Sequence, residues 1–339
     1  MASRRAVRNP HDRALPAGAA AAARMRLKTK AFLTGLSTYV PCYTYLRPTG
    51  GTGGTDSARY CFSVWLRHLI LGRAASLYAG VPAAVAELGP GDSIGIGLAA
   101  LLSGVERYHA LDLVPYSDLK TNLAIFDELV TLFKERAPLP GDDEFPLVWP
   151  KLTSYQFPRA LLGVSWLEAA LGPKRIEEIR ASIESPQAAS SRMTYQAPWS
   201  DTREIHEHSL DLVYSQAVLQ HVDDLAGTYR AMRRWLKPGG AMSHQIDFQC
   251  HGKADTWNGH WTYSDFAWKV VTGRRAYLLN RAPRSEHITL LEESGFTLIN
   301  ETVQRSPSTL AHRDLAHRFR ALSEEDLTTS GTFLLAVAR

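Results

Sequence analysis

The segment Ala83-Ala84-Val85-Ala86-Glu87-Leu88-Gly89-Pro90-Gly91 constrains this chain more than any other. A short apolar run leads straight into two glycines, so a buried strand must end in a tight turn that glycine backbone allows. A strand–helix rhythm follows it. Ile94–Leu102 reads as a helix, Tyr108–Leu113 as a second strand and Asn122–Arg136 as a second helix. Two strands joined by a helix of this length form a right-handed parallel βαβ unit.

The rhythm breaks at Pro138–Ser191, where prolines at 138, 140, 146, 150 and 158 punctuate two helical stretches, Leu161–Leu171 and Arg175–Ser185. This is too long for a connection and reads as a helical insertion. The rhythm then resumes with strands at Arg192–Gln196, Ser209–Ser215 and Ala241–Phe248, and a helix at Asp223–Leu236 stopped by Pro238-Gly239-Gly240. A helix at Pro283–Ser294 and strands at Phe296–Thr302 and Thr332–Ala338 close the chain. Upstream, Phe62, Trp65, Leu66, Leu69 and Ile70 recur at three- and four-residue steps within a helix spanning 56–78. The expected organisation is a disordered basic tail over 1–30, an N-terminal helical cap or lid over 31–82, and a main domain over 83–339 carrying the insertion 138–191. The glycine-rich stretch 49–55 reads as a flexible loop, either a plain linker or a lid.

Charge excludes one class of partner. The net charge is +4, but the first thirty residues hold eight Lys/Arg and one Asp, so the remainder carries −3. A basic tail on a near-neutral body gives no basic stripe for nucleic acid. No run of eighteen apolar residues occurs, so no membrane span is expected. The three cysteines, Cys42, Cys61 and Cys250, show no paired spacing, which points to a reducing, cytoplasmic setting and away from a cysteine-based metal site.

Four motifs fall at the carboxyl ends of the expected strands, where ligands bind in open α/β sheets. In the first, Gly89, Gly91 and Gly95 miss the dinucleotide spacing, which places its third glycine where Ile94 stands. Glu87 at the strand end repels a pyrophosphate and suits a cationic ligand. The second is Asp112, about twenty residues on, an acid able to accept both hydroxyl protons of a ribose. The third is Tyr195-Gln196-Ala197-Pro198-Trp199-Ser200-Asp201, where Ala197 and Pro198 offer an apolar surface for a purine, Gln196 or Asp201 a partner for its amino group, and Trp199 a stacking ring or a core residue. The fourth is the strand Asp211-Leu212-Val213-Tyr214-Ser215-Gln216 with the later turn Leu236-Lys237-Pro238-Gly239-Gly240.

Taken in order, this set resembles the class I S-adenosylmethionine-dependent methyltransferases over roughly residues 84–248 outside the insertion. Ser93 departs from that family's glycine. The resemblance implies a Rossmann-like, doubly wound, seven-stranded and mostly parallel sheet with an antiparallel last strand. It implies S-adenosylmethionine as cofactor, contacted by Glu87, Gly89, Gly91, Asp112, Gln196, Ala197, Ser215 and Gln216. The expected reaction is in-line methyl transfer, to an oxygen of a small molecule or glycan. Candidate bases are His244 and Asp247, followed by His221, whose family position usually shapes a turn. No metal is called for. The competing readings are a nicotinamide-dependent oxidoreductase and a non-catalytic cofactor-binding scaffold. The aromatic-rich segment 248–282 is expected either to stack on an acceptor or to pack as core.

Overall fold

The computed structural model describes residues 29–40, 54–199, 205–275 and 277–339. Most of the expected basic tail, most of the glycine-rich lid candidate 49–55, and Asp201 lie outside the described residues. The chain divides into two compact units: residues 1–46, 249–275 and 308–321 form one, and 47–248, 276–307 and 322–339 the other. Helices along the chain are α1 (29–37), α2 (Ala58–Ala74), α3 (Gly95–Leu102), α4 (Leu119–Glu135) and, in the insertion, α5 (Val164–Ala170) and α6 (Pro173–Glu184). They continue with α7 (Leu225–Trp235), α8 (Asp265–Thr272), α9 (Arg284–Glu293) and α10 (Glu324–Thr328).

The larger unit holds a seven-stranded sheet of β1 (Ala84–Leu88), β2 (Arg107–Leu111), β3 (Met193–Gln196), β4 (Leu210–Gln216), β5 (Leu236–Asp247), β6 (Phe296–Arg305) and β7 (Thr329–Ala338). Its order is β3-β2-β1-β4-β5-β7-β6. The first five strands are parallel and β7 runs antiparallel to both neighbours. This is the Rossmann-like α/β fold expected, with the order of strands switching sides between β1 and β4.

The pleat sorts side chains into two cores. Val85, Tyr108, Leu212 and Tyr214 face one core with residues of α2, α3, α4 and the insertion, including Val148, Phe157, Leu167 and Ile179. Ala86, Leu88, Val213, Met242 and Ile246 face the other, with Tyr229, Met232 and Trp235 of α7 and Leu291 of α9. Short polar caps fix where the helices begin. Ser57 accepts from the Tyr60 amide at α2, Asp118 from Thr121 at α4 and Asp224 from Gly227 at α7. Asp118 therefore starts α4 three residues before the expected Asn122.

The Leu-Lys-Pro-Gly-Gly turn departs from the expected loop. It lies inside β5, where Leu236 pairs with Leu210 and Ala241 with Leu212, so residues 237–240 bulge out opposite Asp211. Asp211 holds the bulge through Lys237 Nζ at 2.6 Å and accepts from the amides of Ala83 and Ala84, fixing the start of β1.

In the smaller unit, Trp261, Tyr263 and Trp268 are buried, with Phe32 edge-on to Tyr263 at 5.9 Å and Trp257 edge-on to Trp261 at 6.2 Å. This part of the 248–282 aromatic segment packs as core. Among the described residues no helix is long and apolar enough to cross a membrane.

Gly97 in α3 sits directly on the Tyr108 ring. A β-carbon there would lie 1.9 Å from Tyr108 Cζ, whereas one at Gly80 meets nothing within 4 Å. Gly97→Ala is expected to destabilise by about 1–3 kcal/mol through overpacking, measured by denaturant unfolding, with Gly80→Ala near wild type as control.

Candidate functional site

The carboxyl ends of β1, β2 and β3 are stitched into one rim. Beyond Leu88 the chain turns through Gly89 (φ +64) and Gly91 (φ +78). A β-carbon on Gly89 would lie 2.7 Å from the Val218 side chain, so the turn after β4 packs directly on this glycine. The Gly89 amide donates to the Leu111 carbonyl at 2.8 Å, and the Gly91 amide to Asp112 Oδ2 at 3.2 Å. The other Asp112 oxygen accepts from the Leu113 amide at 2.7 Å. The Asp112 amide donates to the Gln196 carbonyl at 2.9 Å, and the Trp199 amide to the Asp112 carbonyl at 3.0 Å. Burial pushes the Asp112 carboxyl above its ordinary range, against the lowering effect of the amides around it. Asp112 is thus a nearly buried acid fixed between the first and third loops.

The start of α3 is already capped from within. The Ile94 amide donates to Asn122 Oδ1 at 3.1 Å, the Gly95 amide to Ser93 Oγ at 3.0 Å, and the Ser93 amide to Thr55 Oγ1 at 3.3 Å. Ser93 Oγ in turn donates to the Thr55 carbonyl. A pyrophosphate site needs such amides free at the helix start, and here three are committed. Ser93, the departure from the family glycine, is one of the caps. Asn122 and Thr55 carried no local sequence signal for this role, because they come from α4 and from the segment before α2.

Glu87 lies beneath the turn. The pleat puts it on the face of Val85, and it is 1% exposed. Oε2 accepts from the Tyr108 hydroxyl at 2.6 Å and the Tyr214 hydroxyl at 3.1 Å. Burial raises its pKa to about 8, opposed by the two phenols. Sequence reasoning missed both tyrosines, although the β1–β4 register sets Tyr214 directly beside Glu87.

The other expected cofactor residues line the same edge. Gln196 and Ala197 are half-buried at the end of β3. Trp199 packs edge-on to Trp235 at 5.7 Å, a core position. Gln216 is half-buried at the end of β4, and Nε2 donates to the Trp149 carbonyl at 3.4 Å. Next to it Ala217 is exposed with φ +55; its amide donates to the Gln245 carbonyl at 3.0 Å and its carbonyl accepts from Gln220 Nε2 at 2.8 Å. Ser215 is fully buried and 2.8 Å from His244 Nδ1.

The base candidates separate. His244 is fully buried on the face of Met242 and Ile246, and burial lowers its pKa to about 3. Asp247 is half-buried at the carboxyl end of β5, opposite Gly331. His221 closes a 3-10 turn, Leu219–His221, with its ring 5.7 Å from that of Tyr277. The Tyr277 hydroxyl is 2.9 Å from that of Tyr116, and burial, this hydrogen bond and the carboxylates of Asp112 and Asp92 push its pKa up. These tyrosines, also missed from sequence, therefore stand near the rim. Among the described residues no three His, Cys, Asp or Glu side chains are grouped to hold a metal ion.

The residues present fit a cationic sulfur nucleoside: an acid at the ribose position, a glycine turn, an apolar purine surface at Ala197, and a helix start closed to pyrophosphate. A family model described as a methyltransferase domain matches residues 169–243, from α5 into β5. No curated protein matches the chain in sequence. Solved structures align at low identity. One is a S-adenosylmethionine dependent methyltransferase from Mesorhizobium loti (16% identity, 79% of this chain and 96% of that one, TM-score 0.37). Another, from Methanosarcina mazei, is also titled a SAM-dependent methyltransferase (12% identity, 75% and 92%, TM-score 0.37). A third is phosphoethanolamine N-methyltransferase 2 of Haemonchus contortus in complex with S-adenosyl-L-methionine (17% identity, 85% and 58%, TM-score 0.39). The strand order, with β7 reversed and a glycine turn and strand-end acid at its switch point, is the Rossmann-like arrangement the resemblance implies, and the methyltransferase-domain match lies within it.

Proposed function

We propose that this methyltransferase acts on an oxygen of a small molecule or glycan. The observation that carries the reading is the rim at Asp112: a fixed acid faces the glycine turn while the α3 amides are engaged elsewhere. S-adenosylmethionine, when bound, supplies a methyl group already activated for displacement. The chain's own part is to hold and align. Asp112 accepts the ribose hydroxyls, Gly89 and Gly91 allow close approach, and Ala197 bears on the purine. The −3 charge of the body supports a small acceptor over nucleic acid, and the buried free thiols of Cys61 and Cys250 support a reducing, cytoplasmic setting.

The base roles are redistributed. His244, expected as a base, is assigned to the core, because its ring lies under α7 and α9 and is held neutral by burial. Ser215 is assigned with it, as its hydrogen-bond partner. Asp247 and His221 remain the groups able to take a proton from an acceptor hydroxyl at the strand ends. Glu87 acts as the floor of the turn, held by its two tyrosines beneath the glycines.

Three outcomes test this reading. Asp112→Ala removes a charged acceptor of two hydroxyl protons, so affinity for S-adenosylhomocysteine should fall by about 10- to 100-fold; an unchanged calorimetric affinity removes the ribose assignment. Tritiated methyl from S-adenosylmethionine should pass to the small-molecule fraction of a cell extract, and label confined to protein or nucleic acid contradicts the acceptor class. The third concerns Glu87. Its folded pKa is raised from 4.5 to about 8, so it adds stability that is full below pH 4.5 and lost as pH rises toward 8. Glu87→Gln should flatten the fall in melting temperature across that window, and an unchanged slope would show that Glu87 is not its source.

A further inference from the structure

One buried cation in the larger unit makes no ion pair at contact distance among the described residues. Arg67, on the inner face of α2, is 1% exposed. Nη1 donates to the Pro150 carbonyl at 3.2 Å, and the guanidinium lies over the Tyr155 ring at 5.2 Å. Nε and Nη2 are buried with no hydrogen-bond acceptor among the described residues. One turn earlier on the same face, Ser63 Oγ is also buried without a partner. The nearby carboxylates hydrogen-bond to other groups, and Asp142 reaches Arg67 only through its field. Glu144 pairs both oxygens with Arg59 at 2.6 Å, Asp142 is held by Tyr155 and Lys151, and Glu87 by its two tyrosines.

Burying a charge without a counter-charge is among the most unfavourable arrangements a protein can hold. The guanidinium presents a fork whose spacing matches the two oxygens of a carboxylate or phosphate, and here the fork is largely unspent. Its position ties it to the site. Pro150, which accepts from Arg67, follows Trp149, whose carbonyl accepts from Gln216 at the end of β4. The loop covering α2 therefore joins Arg67 to the strand end where the reaction is placed.

We infer that Arg67 and Ser63 form the anion-binding end of the acceptor site, so that the methyl acceptor carries a carboxylate or phosphate group. This rests on the methyltransferase reading above and specifies its substrate class.

The test uses the full chain saturated with S-adenosylhomocysteine. Melting temperature and calorimetric binding are followed with inorganic phosphate, with acetate, and with chloride at matched ionic strength, for wild type, Arg67→Met and Ser63→Ala. Phosphate or acetate should raise the wild-type melting temperature saturably by several degrees where chloride does not, and the effective anion identifies the acceptor's group. Ser63→Ala should bind that anion about tenfold more weakly, and Arg67→Met should show no shift. Without anion, Arg67→Met should melt no lower than wild type, because an apolar side chain replaces an unpaired buried charge. The inference is overturned if neither anion acts on wild type, if the shift survives in Arg67→Met, or, should that variant not fold, if Ser63→Ala binds the anion as wild type does. Failure of wild type to bind S-adenosylhomocysteine would instead sink the methyltransferase reading, so the two failures are distinct.

Discussion

The site depends on a set of hydrogen bonds that run across strand ends rather than along strands. Gly89 to Leu111, Gly91 to Asp112, Asp112 to Gln196 and Trp199 back to Asp112 join three loops that are distant in sequence. Loops of this kind are ordinarily the mobile part of an α/β fold. Here the sheet register dictates their spacing, because Leu88 pairs with Leu111 and Leu111 with Gln196. Asp112, the acid proposed to receive a ribose, is thus placed by the backbone of its neighbours. Its geometry does not wait for ligand, which is what alignment of a displacement reaction requires.

The same sheet hides polar groups on both faces, and each is handled differently. Glu87 is kept in the core by two phenols, His68 by Ser243 at 2.6 Å, and His244 by Ser215. The histidines are held neutral, with pKa values lowered to about 3 by burial. A buried group that can discard its charge is tolerable once hydrogen-bonded. Arg67 has no such route, since a guanidinium does not deprotonate in proteins, and its position invites an external anion.

Much of this was legible in the sequence because it rests on local periodicity. The glycine turn, the strand–helix alternation and the acid about twenty residues on led to the correct sheet, and element ends differ from expectation where a cap decides them, as at Asp118. Glu87 was read from its motif position and so expected against the ligand; the pleat, which sets it on the face of Val85, leads under the helix instead. His244 was read as a strand-end imidazole, but it lies on the face of Met242 and Ile246 and so falls beneath α7 and α9. Asn122, Thr55, Tyr116 and Tyr277 were not legible, because each meets its partner across tens of residues. The insertion hid the surroundings of Arg67 in the same way: Pro150 and Tyr155 are 83 and 88 residues from Arg67, and only folding brings them together.

The central claim is that the rim receives a cationic sulfur nucleoside and refuses a pyrophosphate. Calorimetric titration of the wild-type chain with S-adenosylmethionine and, separately, with NADH tests it most directly. The account predicts one saturable site for the sulfonium ligand and no heat of binding for the dinucleotide. Tight uptake of NADH with no response to S-adenosylmethionine would contradict it.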